Sequence, residues 1–103
     1  MKAIVAIVKP HIVPRLAEVL RKTSQVVGVD FTEVKGYGRQ KNYLNEYQGS
    51  EYSSAYLPKV LIEIEVRDKD LEDVLSTVIE TTRTGRMGDG KIFVLDGEML
   101  ESV

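Results

Sequence analysis

Two glycine-bearing stretches carry the residue types that could bind an anion. The first, Gly36-Tyr37-Gly38-Arg39-Gln40-Lys41, begins like a dinucleotide-binding fingerprint, but Lys41 stands where the third glycine would fall. No helical pattern follows it, so a Rossmann site is excluded. What remains is a flexible backbone beside Arg39, Gln40 and Lys41, which suits an anionic ligand.

The second stretch runs from Thr84 to Lys91 and, from Gly85 onwards, has P-loop spacing as far as Lys91. Ile92 follows in place of serine or threonine, and a strand pattern follows in place of a helix, so a true P-loop is excluded. Closely spaced glycines let backbone N–H groups approach a phosphate, and Arg86 and Lys91 add positive charge. By spacing alone, phosphate binding and two tight turns before a strand are equally good interpretations.

All five tyrosines lie between Tyr37 and Tyr56, in a mostly polar stretch. A small domain seldom carries about 20 irregular residues unless the segment functions or is disordered, and disordered segments are poor in aromatic residues. Rigid amphipathic rings on a loop are typical of a recognition surface. We therefore predict that the 38–57 loop contacts a partner. The alternative is a small packed lid, since Tyr43/Tyr47 and Tyr52/Tyr56 are each four residues apart.

Signals for catalysis or for a closed metal site are weak. His11 is the single histidine, it has no evident partner, and no cluster has the His/Cys/Asp/Glu spacing of a metal site. Glu63 and Glu65 share a predicted strand face and could pair for acid–base work, but a solvated face or salt bridges are the better interpretation. A small ATPase using Lys91 and Glu63 would lack a positioned base, so we expect a protein that is not an enzyme.

The composition indicates one globular domain over residues 1–103, with 43% hydrophobic and 29% charged residues. The net charge of −2 gives no electrostatic footprint for nucleic acid. The absence of cysteine is compatible with the cytoplasm, where we expect the protein to be located. The longest apolar run, Ala3 to Val8, is too short for a membrane span or a signal peptide, so no direct membrane insertion is predicted.

Six predicted elements must position these residues. Apolar alternation and helical stripes predict strands at 3–8, 29–35, 59–66 and 92–95 and helices around 13–20 and 71–79. The order strand-helix-strand, long loop, strand-helix-strand is that of the ferredoxin-like βαββαβ arrangement. We therefore predict an α+β fold with a four-stranded antiparallel sheet, two helices on one face, and the long loop between strands 2 and 3.

The first predicted strand is apolar on both faces, although helices can cover only one of them. Ala3, Val5 and Ile7 would lie on one face, and Ile4, Ala6 and Val8 on the other. A contiguous exposed apolar patch usually marks an interface. The pattern favours a homo-oligomer, and the alternative is a short strand with a few exposed aliphatic side chains.

Taken together, these motifs resemble the PII signal-transduction proteins, which report nitrogen, carbon and energy status. The resemblance covers nearly all of the chain and is carried by residues 9–10, 32–41, 47–52, 57–60 and 84–94. It implies a homotrimer of ferredoxin-like subunits. ATP and ADP, with AMP as a further candidate, would compete for clefts between subunits, and 2-oxoglutarate would join ATP through Mg²⁺. The 38–57 loop would regulate a membrane transporter, such as an ammonium channel, or a metabolic enzyme.

The resemblance also implies roles for individual residues, without a tightly bound cofactor. The nucleotide cleft would be lined by Gly36, Gly38, Arg39, Gln40, Glu63, Gly88, Asp89, Gly90 and Lys91, with Glu63 towards the adenine and residues 88–91 around the phosphates. Gln40 and Lys59 would bind 2-oxoglutarate, and Gln40 would help to hold Mg²⁺. The partner would be contacted by Tyr47, Gln48 and Tyr52, and Tyr52 matches the tyrosine that is uridylylated in some members.

Three positions depart from the family pattern. Gln48 stands where the loop motif usually has a basic residue, Asp30 replaces a small hydroxyl residue near the adenine, and Ser102 lies where the first of two phosphate-clamping arginines would be. These departures favour a divergent PII-like regulator with an altered ligand preference and a different target. The alternative is a constitutive interaction module of the same fold that has lost nucleotide sensing.

Overall fold

The computed structural model describes residues 1–36, 57–83, 85 and 90–98. Short 3-10 turns at Pro10–Ile12 and Asp68–Asp70 lead into the two helices of this part of the chain. The strands and helices are β1 (Lys2–Val8), α1 (Val13–Arg21), β2 (Val26–Gly36), β3 (Leu57–Val66), α2 (Leu71–Thr82) and β4 (Gly90–Asp96). The predicted βαββαβ order is confirmed. Neither of these helices has the length and apolar character that a membrane span requires.

The four strands form one antiparallel sheet in the order β2-β3-β1-β4. β1 lies inside the sheet between β3 and β4, and its last residue, Val8, is the register partner of both Val60 and Gly90. β2 and β4 are the two edges. Because every neighbouring pair is antiparallel, β2 and β1 run towards the end of the sheet at which β3 and β4 begin.

One face of the sheet forms the hydrophobic core with both helices. Strand residues alternate between faces, and every second residue of β1 and β3 is buried, as the 60–66 alternation predicted. The buried apolar residues of both strands and both helices form a single cluster, so the two helices cover the same face, as predicted. This cluster includes Ile4, Ala6, Val8, Leu16, Leu20, Val60, Ile62, Ile64, Val66, Val74 and Val78.

All six strands and helices extend beyond the ranges that the sequence predicts, and the start of β2 and the end of α2 extend furthest. β2 begins at Val26. The sequence pattern does not show this start, because a β-bulge between Val26 and Gly28 interrupts the alternation that marks a strand. α2 continues to Thr82, and the hydroxyl groups of Thr81 and Thr82 donate hydrogen bonds to the carbonyls of Thr77 and Val78. These buried threonines resemble loop residues in the sequence, but their polar atoms are satisfied within the helix.

Neither α1 nor α2 begins with a side-chain capping hydrogen bond, but α2 has acidic residues in its first turn. Asp70 occupies the N-cap position of α2, but its side chain makes no capping hydrogen bond. Glu72 and Asp73 lie in the first turn, where negative charge interacts favourably with the helix dipole. Pro14 lies in the first turn of α1, where its missing N–H costs nothing.

Truncation of Ile64 tests the packing of this core. Ile64 is fully buried on β3, so Ile64→Ala should lower the free energy of unfolding by about 2–5 kcal/mol, because it leaves a cavity among rigid neighbours. Ile64→Val removes a single methylene and should cost only about 0.5–1.5 kcal/mol. Chemical denaturation at one fixed protein concentration measures both. Equal losses for the two variants would contradict the packing described.

Candidate functional site

Several predicted ligand-binding residues lie at the end of the sheet where β3 and β4 begin. Val8 connects the strands there, because it pairs with Val60 on one side and Gly90 on the other. Lys59 directly precedes Val60, and Lys91 directly follows Gly90. The fold therefore brings the start of β4 and Lys59, which is predicted to bind 2-oxoglutarate, to the same end of the sheet.

The described ends of the two glycine stretches nevertheless lie on opposite edges of the sheet. Gly36 ends β2 and pairs with Leu57, whereas Gly90 begins β4. Three strand spacings separate these edges, which amounts to about 14 Å. A single chain therefore carries two separate halves of the predicted phosphate site at the same end of its sheet.

Lysines surround this end of the sheet. The row that contains Val8, Val60 and Gly90 has four lysines within two residues of its members: Lys9, Lys35, Lys59 and Lys91. Lys9, Lys35 and Lys91 form no ion pair within the described part of the chain. Lys59 is buried, with 8% of its surface exposed. This concentration of positive charge favours an anionic ligand.

Two of the positive charges at the opposite end of the sheet have carboxylate partners. The Lys2 ammonium donates a hydrogen bond to Asp96, which raises the pKa of Lys2 above its ordinary value. The Met1 amino group lies 2.8 Å from Asp68 and, through a hydrogen bond, lowers the pKa of the Asp68 carboxyl. Unlike Lys9, Lys35 and Lys91, these two cations have carboxylate partners among the described residues, so an anion gains less beside them.

Gly90 is required by the close approach of β4 to β1. Its φ angle is +150°, which L side chains rarely adopt, and a Cβ atom there would overlap the carbonyl oxygen of Ile7. Glycine at this position therefore lets β4 begin directly against the backbone of the last residues of β1. This contact fixes the position of the next residue, Lys91, which is exposed and pairs with Ile7.

Glu63 lies on the open face of the sheet, opposite the helices. It pairs with Val5 on β1 and with Asp30 on β2, and it is half-buried. Glu65 follows on the same face and was not among the predicted ligand residues. None of these three carboxylates forms an ion pair with the described residues, so a salt-bridge role for Glu63 and Glu65 finds no support in this part of the chain.

An apolar patch occupies the rest of the open face. Val5 and Ile7 of β1 are half-buried there, and Phe93 and Leu95, the β4 partners of Val5 and Ala3, are 49% and 52% exposed. The sequence predicted the β1 part of this patch from its two apolar faces. The contribution of β4 was missed, because only the register shows that Phe93 and Leu95 lie beside β1.

Other described features do not resemble catalytic or metal sites. His11 is exposed in the first 3-10 turn. The described residues contain no group of three or more His, Cys, Asp or Glu that could hold a metal ion. An open groove of about 460 Å³ lies between α1 and β2, and its lining, which includes Arg21, Val26 and Phe31, contains none of the predicted ligand residues.

The remaining predicted residues lie outside the part that the structure describes. They comprise the later residues of the first glycine stretch, two residues of the second stretch, and the three predicted partner-contact residues. Their roles in binding nucleotide, 2-oxoglutarate, Mg²⁺ or a partner stay predictions. These residues are Gly38, Arg39, Gln40, Tyr47, Gln48, Tyr52, Gly88 and Asp89.

Comparison with known proteins gives consistent matches over almost the whole chain. Residues 1–102 match the family model described as nitrogen regulatory protein P-II. The chain is 47% identical over 96 residues to nitrogen regulatory protein P-II of Klebsiella oxytoca, which covers 93% of this chain and 85% of that protein. The same values apply to nitrogen regulatory protein P-II 1 of Escherichia coli K12. A protein of the same description from Pasteurella multocida is 44% identical over 98 residues, or 95% of this chain and 87% of that protein. The resemblance inferred from the motifs is confirmed.

Substitution of Gly90 tests the contact between β4 and β1. Gly90→Ala should lower the free energy of unfolding by about 1–3 kcal/mol, because the new methyl group would meet the Ile7 carbonyl in a strained backbone conformation. Gly97→Ala is the matched control, since no atom lies within 4 Å of the added Cβ. Thermal or chemical unfolding compares the two. If both variants are as stable as the parent protein, the close approach of the strands is wrong.

Proposed function

This chain belongs to the nitrogen regulatory protein P-II family, and we propose that it is a regulator that binds adenine nucleotides in clefts between the subunits of a homotrimer. The nucleotide would set the conformation of the 38–57 loop, which contacts a regulated transporter or metabolic enzyme in the cytoplasm. The observation that carries the proposal is the group Lys9, Lys35 and Lys91, which form no ion pair with the described residues and lie near Gly90, at the end of the sheet from which the loop begins.

A cyclic assembly would unite the two half-sites. β2 and β4 are opposite edges that run in opposite directions. In a ring whose axis follows the strands, the β2 edge of one copy would lie beside the β4 edge of the next, so that Gly36 and Gly90 would meet at the same end. A two-fold dimer that paired like edges would instead bring together two copies of the same half-site. The topology thus supports clefts shared between neighbouring subunits of a ring.

The same ring would cover the apolar part of the open face. Phe93 and Leu95 are large, exposed and contiguous with the apolar residues of β1. Exposed patches of this kind are typical of interfaces. Burial of this patch would therefore supply the free energy that holds the subunits together, while the polar end of the sheet is left to bind the ligand.

Ligand binding at the lysine-rich end would be coupled to the loop. Gly36 and Leu57 are register partners, so the 38–57 loop leaves and re-enters the sheet at adjacent positions. Lys59 lies two residues beyond the re-entry. A ligand that contacts these residues can shift the loop only if it binds one loop conformation more tightly than another. We propose that ATP with Mg²⁺ and 2-oxoglutarate, using Gln40 and Lys59, favours one conformation and that ADP favours another.

Calorimetric titration with ATP, ADP, AMP and 2-oxoglutarate tests this function. The parent protein should bind ATP and ADP, and Lys91→Ala should weaken ATP binding about tenfold or more, because a charge-assisted contact with phosphate is lost. Lys22→Ala is the control: Lys22 lies 3.2 Å from Glu18 on α1, away from the proposed cleft, and its removal should leave the affinity unchanged.

The outcome also separates the two candidate functions. If no adenine nucleotide binds the parent protein, the sensor function is wrong. A partner captured equally well with and without nucleotide would then identify a constitutive interaction module, the function favoured by Ser102 at a position where the family has an arginine.

A further inference from the structure

The open groove between α1 and β2 has a largely apolar lining. Its apolar residues include Ala17, Leu20, Val29 and Phe31. Phe31 lies on the face that the helices cover, since its register partner Ile62 is fully buried, yet Phe31 itself is 44% exposed at the edge of the sheet. Covering an aromatic ring with a further apolar group is favourable. The groove is therefore suited to an apolar segment of chain.

Arg21 lines the same groove and shares its carboxylate partner with a second cation. Its Nη2 atom lies 2.7 Å from Oε1 of Glu18, and the Lys22 ammonium lies 3.2 Å from the same oxygen. Hydrogen bonds from Arg21 and from Lys22 lower the pKa of the Glu18 carboxyl. One carboxylate thus faces two positive charges. The remaining positive charge favours a segment that brings a carboxylate of its own to Arg21.

The end of β4 lies level with this groove. Asp96, the last residue of β4, shares a row of the sheet with Lys2, Val66 and Val26, and Val26 begins β2 and lines the groove. A rotation about an axis parallel to the strands keeps this row at one level in every copy. In the proposed ring, β4 of one subunit therefore ends beside the start of the next subunit's β2.

The chain that follows β4 has the character that the groove requires. Residues 98–101 are two apolar residues between two glutamates. The Gly97 N–H donates a 3.0 Å hydrogen bond to the Met1 carbonyl, which holds the chain at the end of the sheet up to this point. Glu98 is exposed and forms no ion pair with the described residues. Acidic and apolar side chains thus leave β4 beside a cationic, apolar groove.

We propose that residues 98–103 of one subunit dock in the α1–β2 groove of the next subunit. In this arrangement Glu98 pairs with Arg21. Met99 and Leu100 then cover Phe31. The inference rests on the ring of the proposed function, but the docking surface is separate from the proposed nucleotide cleft, which lies at the other end of the sheet.

The length of the segment fits the groove of the neighbouring subunit. Val26 and Phe31 are five residues apart on β2, which corresponds to about 17 Å. The five residues 99–103 can span about 17 Å when they are extended. The groove of the same subunit is a poorer match, because the β2 and β4 edges of one sheet are about 14 Å apart. Crossing that distance would leave too little of the segment to fill the groove.

A disulfide can report this contact, because the chain contains no cysteine. Ser24 is exposed and lines the groove, whereas Ser76 is exposed on α2 and does not line it. Oxidation of a dilute sample of Ser24→Cys/Leu100→Cys should join subunits into covalent dimers and trimers on a denaturing, non-reducing gel. Ser76→Cys/Leu100→Cys should give about tenfold less product or lower, because docking raises the effective concentration only of the first pair of thiols.

Subunit exchange gives a second measurement that needs no engineered cysteine. Unlabelled protein is mixed with isotope-labelled protein, and native mass spectrometry follows the mixed trimers. Leu100→Asp should exchange subunits about tenfold faster than the parent protein or more, because a charge cannot replace the buried apolar side chain. Leu100→Met, which keeps an apolar side chain of similar volume, should exchange at the parent rate.

Equal disulfide yields from the two cysteine pairs would indicate random encounters and overturn the inference. So would a Ser24→Cys/Leu100→Cys disulfide formed within one subunit, which would place the segment in the groove of its own chain, or an unchanged exchange rate in Leu100→Asp. In each case a trimeric protein that binds ATP leaves the proposed function standing. A parent protein that sediments as a monomer would overturn the proposed ring as well.

Discussion

The pairing of β1 with β3 on one side and β4 on the other is the constraint on which the rest of the structure depends. In this register every second residue of β1 points into the helical layer, and a slip of one residue would turn Ile4, Ala6 and Val8 out of the core. The same register brings Gly90 against the backbone of Ile7 and places Lys91 on the open face. Core packing and the position of a candidate phosphate ligand are therefore set by one set of strand contacts.

The charges of the domain follow the direction of the strands. At one end, Lys2 and the Met1 amino group have carboxylate partners. At the other end, Lys9, Lys35 and Lys91 form no ion pair with the residues that the structure describes. A net charge of −2 conceals this separation, because the whole-chain sum is silent about a local anion site. What matters for a small anionic ligand is the potential at one end of the sheet.

The sequence was sufficient for the fold because its strongest patterns lie in the elements that form the core. The alternation of residues 60–66 and the helical stripe of residues 71–79 are confirmed by burial of the expected residues. The ends of the strands and helices were harder to predict from the sequence. A bulge at Val26/Gly28 hid the start of β2, and hydrogen-bonded threonines hid the last turn of α2. Both are tertiary or side-chain effects that override the periodicity.

The residue types of the candidate site could be predicted from the sequence, but their arrangement in space could not. Glycines and lysines marked the two stretches, yet only the strand order shows that Gly36 and Gly90 lie on opposite edges. Likewise, Asp30 and Glu63 are 33 positions apart in the chain and become neighbours only through the β2–β3 register. Local patterns hold no information about such pairs, which is why Asp30 stood out only as a departure from a family pattern.

An open sheet with two free edges and an exposed apolar face is a liability for an isolated subunit, because unpaired strand edges and apolar patches promote nonspecific association. In the proposed ring, the contacts that would cover the apolar patch are also those that would bring the β2 edge of one subunit to the β4 edge of the next. Assembly and formation of the ligand site are then one event. A ligand that binds only the completed cleft must stabilise the assembly, and the assembly must in turn raise the affinity for the ligand. The loop that joins β2 to β3 begins at this shared boundary, so a change of ligand there acts on the loop directly and needs no signal transmitted through the core.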